Sequence, residues 1–140
     1  MICSDPEAPE AGSDLRITTS TCVDNRIAIG VVTGTISIEG LKRGARSIWQ
    51  SPRWLGRAIV WDMRQARFDL DRKDIEDFAH FIHGQQPDPP PRRIAFVAAT
   101  DLEFGLSRVF QAFRETSETD FEVFRDYDVA LAWAGNAEAR

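Results

Sequence analysis

Two short stretches of the chain, Ile27–Thr33 and Ile94–Ala99, are apolar at successive positions, not at alternate ones. A strand with one face in water alternates, so an unbroken apolar run reads as a strand covered on both faces. Strands of that kind belong to a parallel sheet flanked by helices, which constrains this chain more than any other feature. The remaining pieces agree. Leu15, Ile17, Thr19 and Thr21 alternate with Arg16, Thr18, Ser20 and Cys22, the pattern of a half-buried strand, and Asp24–Asn25 supply a turn into Ile27. Ala58–Met63 and Phe121–Phe124 make two further short strands.

Between strands the apolar period changes to three or four. Ser37 is placed to cap a helix carrying Ile38, Leu41, Ala45, Ile48 and Trp49, which Ser51–Pro52 ends. Gly40 and Gly44 weaken that helix by roughly 1 kcal/mol each relative to Ala. They also share one face, open to close approach by a strand or a ligand. Asp71 caps a second helix with Ile75, Phe78, Ala79 and Ile82 inward and Gly84 as its stop. Thr100 or Asp101 caps a third, with Leu106, Val109, Phe110 and Phe113 inward. A fourth runs from Asp126 to Ala134, with Val129, Ala130 and Trp133 available for packing. The order ββαβαβαβα predicts an α/β fold with a mostly parallel sheet joined by right-handed crossovers.

The 140 residues suit one domain. Residues 1–13, rich in Pro, Glu, Ala, Ser and Gly, read as a disordered lead, and 14–140 as the single domain. Seventeen basic against twenty-two acidic side chains, a net charge of -5, argue against a nucleic-acid binder, which needs surplus Lys and Arg. No apolar run approaches the roughly 20 residues of a membrane span. Met1–Asp14 carries acids and prolines where a signal peptide has a basic and then an apolar stretch, so a cytoplasmic protein is expected. Cys3 and Cys22 lack CxxC spacing and read as two reduced thiols.

No catalytic motif is present, and no catalytic residue or cofactor is expected. Gly105-Leu106-Ser107 imitates a nucleophile elbow, but it falls inside a helix and Val109 stands at the second glycine's place. Glu76, His80 and His83 share one side of the second helix. Without a further histidine they read as a solvated face, and no metal site is expected. Asp62 stands near Asp69, Asp71 and Asp74 in sequence, with Arg64, Arg67 and Arg72 offsetting the charge. The segment fits a recognition edge better than an acid–base pair, because binding residues gather beyond the carboxyl ends of parallel strands.

Several strings carry a resemblance: Ile59-Val60-Trp61-Asp62-Met63, Ala95-Phe96-Val97-Ala98, Phe104-Gly105-Leu106-Ser107-Arg108-Val109-Phe110, Phe124-Arg125-Asp126 and Ala130-Leu131-Ala132-Trp133. With the element order they resemble the SpoIIAA-like, or STAS, family of anti-sigma-factor antagonists, and the small bacterial proteins grouped with STAS and Sec14 domains. The resemblance covers about Leu15 to Gly135. It implies four βα turns of a right-handed superhelix, with the first strand added antiparallel. Antagonists of the family hold an Asp-Ser-Ser-Gly motif at the start of the second helix, where a partner kinase phosphorylates a serine. The matching stretch here is Leu70-Asp71-Arg72-Lys73, with Asp71 and Arg72 at the serine positions. That switch is therefore absent, and an acid at the helix start stands as a fixed negative charge.

The expectation is a non-enzymatic STAS-like module that docks a protein partner through Asp69, Leu70, Asp71, Arg72 and Lys73. The alternative, suggested by Sec14 kinship, is a carrier of a small apolar ligand in a cleft of Trp49, Trp54, Phe78, Phe81 and Phe104. Ordinary core packing is the plainer role for those aromatics. A homodimer is expected as well. Helices of the family cover mainly one side of the sheet, whereas Ile27–Val32 and Ile94–Ala99 present apolar residues to both.

Overall fold

The computed structural model describes residues 10–12, 15–22, 26–49, 57–83, 92–114 and 119–135. The elements run β1 (Glu10–Gly12), β2 (Leu15–Cys22), β3 (Ile27–Ile36), α1 (Ile38–Trp49), β4 (Ala58–Phe68), α2 (Arg72–His83), β5 (Arg93–Val97), α3 (Asp101–Arg114), β6 (Asp120–Phe124) and α4 (Tyr127–Gly135). They form one sheet in the order β1-β2-β3-β4-β5-β6. β3 to β6 are parallel, as the apolar runs predicted, while β1 pairs with β2 and β2 with β3 antiparallel. The Asp24–Asn25 turn lies outside the described residues, as does most of the lead read as disordered over 1–13. Within that lead, Glu10–Gly12 is a short strand paired with Leu15–Ile17, not a disordered stretch.

The helix starts are capped by side chains, at α1 and α3 by residues the sequence offered and at α4 by Asp126, which it did not single out. Ser37 Oγ accepts from Gly40 N at 3.1 Å, and Asp126 Oδ1 from Val129 N at 3.1 Å. At α3 the cap is Thr100, whose Oγ1 accepts from Glu103 N at 3.2 Å. Each bond satisfies an amide that the helix leaves open.

β4 runs five residues beyond the Met63 end expected for it. Arg64, Gln65 and Arg67 look like loop residues, yet they alternate with buried Ala66 and half-buried Phe68, and β3 lengthens to Ile36 to pair with them. The two strands keep in step through an irregularity. Val31 pairs with Asp62 and Thr33 with Gln65, so two residues of β4 oppose one of β3. A bulge of this kind bends the strand and re-aims its side chains. Nearby Gly34 sits exposed at a φ of 89°, a backbone region costly to residues with a Cβ.

Each sheet face has its own core. On the first, Ala28, Val32, Ile59, Met63 and Ile94 pack with Ile75, Phe78, Ala79 and Ile82 of α2 and Leu106 and Phe110 of α3, and α1 adds Ile38, Leu41 and Ala45. On the second, Ile27, Ile29, Val60, Ala95 and Val97 pack under Ala130, Leu131 and Ala134 of α4. This corrects the ground for a homodimer. The face expected to lie bare is covered by α4, with Ile27, Val60, Ala95 and Val97 at 0% exposure. Val129, expected to pack, is instead 52% exposed, and Leu131 takes the buried place. Arg93 fastens the far end of α4, its guanidinium 5.0 Å from the Trp133 ring and bonded to the Trp133 carbonyl.

Candidate functional site

The turn from β4 into α2 carries the predicted docking residues together. Asp69 donates its backbone N–H to Ile36 O at 2.9 Å, which ties the turn to the end of β3. Asp71 and Asp74 then cap each other: Asp74 N donates to Asp71 Oδ1 at 2.9 Å and Asp71 N to Asp74 Oδ2 at 3.1 Å. This reciprocal box uses both carboxylates to hold the backbone, and both sit where the helix dipole favours negative charge. Asp69, Asp71, Arg72 and Lys73 are exposed, while Leu70 is half-buried against the first core. The result is a pinned loop displaying two acids and two bases around one leucine.

Asp62 does not join the other carboxylates. It lies within β4, two residues after Val60 on the face toward α4, and is 6% exposed. Its oxygens accept two bonds of 2.8 Å from Arg64 Nε and Nη2, with Arg64 N adding a third at 3.2 Å. Residues two apart in a strand share a face, so Arg64 lies over Asp62, and the bulge acts after it, turning Ala66 and Phe68 toward the first core. The guanidinium then lies 4.8 Å from the Tyr127 ring centre, closing a stack of Asp62, Arg64 and Tyr127. Fork geometry and a flat cation on an aromatic face are the strong forms of both contacts. The sequence reading missed this stack, since nothing in the spacing joins Tyr127 to Asp62.

Burial pushes the Tyr127 phenol above its ordinary value, and the negative charge of Asp62 adds to the rise while Arg64 opposes it. The folded chain therefore holds that proton more tightly than the unfolded chain. The stability this contributes is complete below the unfolded value, about 10, and is lost as pH rises through the folded one. Tyr127 is the single tyrosine, so phenolate absorbance reports it alone. Its titration midpoint should lie above about 10 in the folded protein and return to about 10 in urea. Equal midpoints in both states would contradict the stack.

Of the five aromatics expected in a cleft, Phe78, Phe81 and Phe104 are described. Phe78 is core, with its ring centre 5.7 Å from that of Phe110 and 6.3 Å from that of Phe81. Phe81 is half-buried between Lys42 and Arg46 of α1, at 5.5 and 5.3 Å. Phe104 lies under Arg125 at 4.7 Å, on the rim beyond β6. Trp54 and the side chain of Trp49 lie outside the described residues. Among the described residues a half-open cavity of about 60 Å³ is lined by Ile36, Leu41, Met63, Phe68, Leu70 and Phe110, with Ser107 among its neighbours. Ligand sites commonly run to about 300–1,000 Å³. An acyl-chain carrier is therefore not supported. The cavity costs on the order of 1 kcal/mol in lost packing.

Glu76 and His80 are exposed, and the side chain of His83 lies outside the described residues. Among the described residues, no three His, Cys, Asp or Glu side chains are grouped to hold a metal. Ser107 lies within α3, as expected, and is buried there.

With this geometry in view, the chain is similar to a solved structure described as an anti-sigma factor antagonist from Mycobacterium paratuberculosis. The TM-score is 0.51 at 16% sequence identity, over 84% of this chain and 93% of that one. The resemblance read from the short strings is thus upheld at the level of fold: four parallel strands and four helices in the SpoIIAA-like arrangement. No protein-family model matches the chain, and no curated protein does. Among the described residues no helix is long and apolar enough to cross a membrane.

Proposed function

We propose that the chain is a non-enzymatic STAS-like regulatory module that docks a protein partner through Asp69, Leu70, Asp71, Arg72, Lys73 and the exposed side of α2, and that β2 serves as the added antiparallel strand of that fold. The observation that carries the reading is the pinned turn. Asp71 and Asp74 satisfy each other's backbone and leave Arg72 and Lys73 exposed on a fixed frame. A preformed surface loses little ordering entropy on binding. The likeness to an anti-sigma factor antagonist supports a partner that is itself a protein. Asp71 supplies a permanent negative charge at the helix start, so docking needs no modification of this turn.

The test places a photo-crosslinking residue at Glu76 in the full chain, with a control at exposed Asp120 on the opposite end of the sheet. A discrete adduct should form from Glu76 alone and fall about tenfold when Arg72 and Lys73 become alanine, the loss of two partly desolvated charge contacts. An adduct that forms equally from Asp120, or that ignores Arg72 and Lys73, removes the docking reading.

A further inference from the structure

β6 is the outermost strand on its side of the sheet, so among the described residues one of its edges faces no other strand. The ladder says which groups lie on that edge. Asp120 N donates to Arg92 O at 3.0 Å, and Phe124 O accepts from Ala98 N at 2.9 Å. Asp120, Glu122 and Phe124 therefore turn their backbone groups toward β5, and Phe121 and Val123 turn theirs to the free edge. An edge carried by Phe, Val and Phe is a template for a further strand. Here two of its groups are taken by side chains. Gln111 of α3 donates from Nε2 to Phe121 O at 2.7 Å, and Val123 N makes a longer bond to Glu122 Oε1 at 3.4 Å. Gln111 is 9% exposed, and its own Oε1 is buried without a partner. A leucine in that place would leave no such oxygen. The carboxamide sits where apolar packing would cost less, and what it does there is take the position of a next strand's N–H.

The strand this edge would fit is a second β6. Two copies meeting antiparallel about a two-fold axis at Glu122 set Phe121 of each opposite Val123 of the other. Half of the backbone bonds of that pairing join Phe121 O of one copy to Val123 N of its partner, the groups already occupied. The same register sets Glu122 directly against Glu122, and like charges opposite each other on one sheet face repel. We infer that Gln111 and Glu122 close the β6 edge against a second copy of this chain, as an intramolecular block on self-pairing. The block is independent of the docking reading, because β6 and the turn after β4 belong to different strands.

Sedimentation velocity of the full chain tests it, on the parent, Gln111→Ala, Glu122→Thr and the double variant. The double variant should dimerise roughly tenfold more tightly than either single one, and each single one roughly tenfold more tightly than the parent, as expected for freed backbone bonds and a relieved repulsion. In the dimer the Phe121 and Val123 amides should gain protection from hydrogen exchange while thermal unfolding stays cooperative, which separates edge pairing from association of a loosened chain. A charge swap reads the register. In the Gln111→Ala background, chains keeping Glu122 should pair with chains carrying Glu122→Lys more tightly than either pairs with itself. Where Gln111→Ala fails to fold, Glu122→Thr decides alone: tighter pairing supports the block, and an unchanged monomer overturns it. A double variant as monomeric as the parent overturns it too, as do a parent already dimeric with those amides protected, association without amide protection, and a charge-swapped mixture that pairs no better than its components.

Discussion

Replacing Gly30 with alanine should destabilise the protein by about 2–3 kcal/mol, read as a lower urea midpoint at unchanged slope. Gly30 is buried in β3 opposite Trp61 of β4, and a Cβ built there would lie 2.4 Å and 2.6 Å from two carbons of the indole ring. Real carbons do not approach so closely, so either the ring or the strand must move. Neither moves cheaply. Trp61 is packed against the first core, and β3 is hydrogen-bonded on both edges. The cause can be isolated with a second change. Trp61→Leu removes the ring and carries its own loss of buried area, but in that background Gly30→Ala should cost under about 1 kcal/mol. A neutral Gly30→Ala in the unmodified chain would show that the indole does not lie where it is placed.

The second large effect belongs to Arg64. Truncating it to alanine should cost about 2–3 kcal/mol, because it strands the Asp62 carboxylate in a buried position without its cation. The figure is set below the loss seen for a fully buried pair, since the Arg64 side chain is 43% exposed and water reaches it. The informative comparison is the double variant. With Asp62 also changed to alanine no charge is left stranded, and at least about 1 kcal/mol of the loss should return. Urea unfolding of the four chains gives the coupling. An Arg64→Ala variant within about 0.5 kcal/mol of the parent would mean that the pair is held by water, not by burial.

Much of this fold was legible before any coordinates. Apolar runs at Ile27–Thr33 and Ile94–Ala99 pointed to strands covered on both faces, and the second core beneath α4 is what covers them. Ser37 and Asp71, and Thr100 as one of two candidates, announced three helix starts, because a cap is a local bond between a side chain and an amide three residues on, and the cap at Asp126 went unread. The turn proposed for docking was legible for the same reason: its five residues are consecutive, so chain order alone brings them together.

What misled was the assumption that polar means loop. Arg64, Gln65 and Arg67 continue β4 because β3 offers hydrogen-bond partners there, a condition no single strand's pattern can display. The surroundings of the described cleft aromatics were hidden for a related reason. Helical spacing shows that Phe78, Phe81 and Phe104 leave their helices on certain sides, but not what they meet: Phe78 meets Phe110 and Phe81, Phe81 also meets Lys42 and Arg46, and Phe104 meets Arg125.

The division follows from the range of the forces involved. Order of elements, helix caps and the two-sided strands are written in neighbours along the chain, so the amino-acid sequence by itself determined them. Placing α4 over the second face, bringing Tyr127 onto the Asp62–Arg64 pair, and leaving a small apolar hollow beside Leu70 required segments far apart in the chain to share space. Packing among them was decided by the folded structure alone, since excluded volume and burial act on whatever arrives at a point, wherever it began.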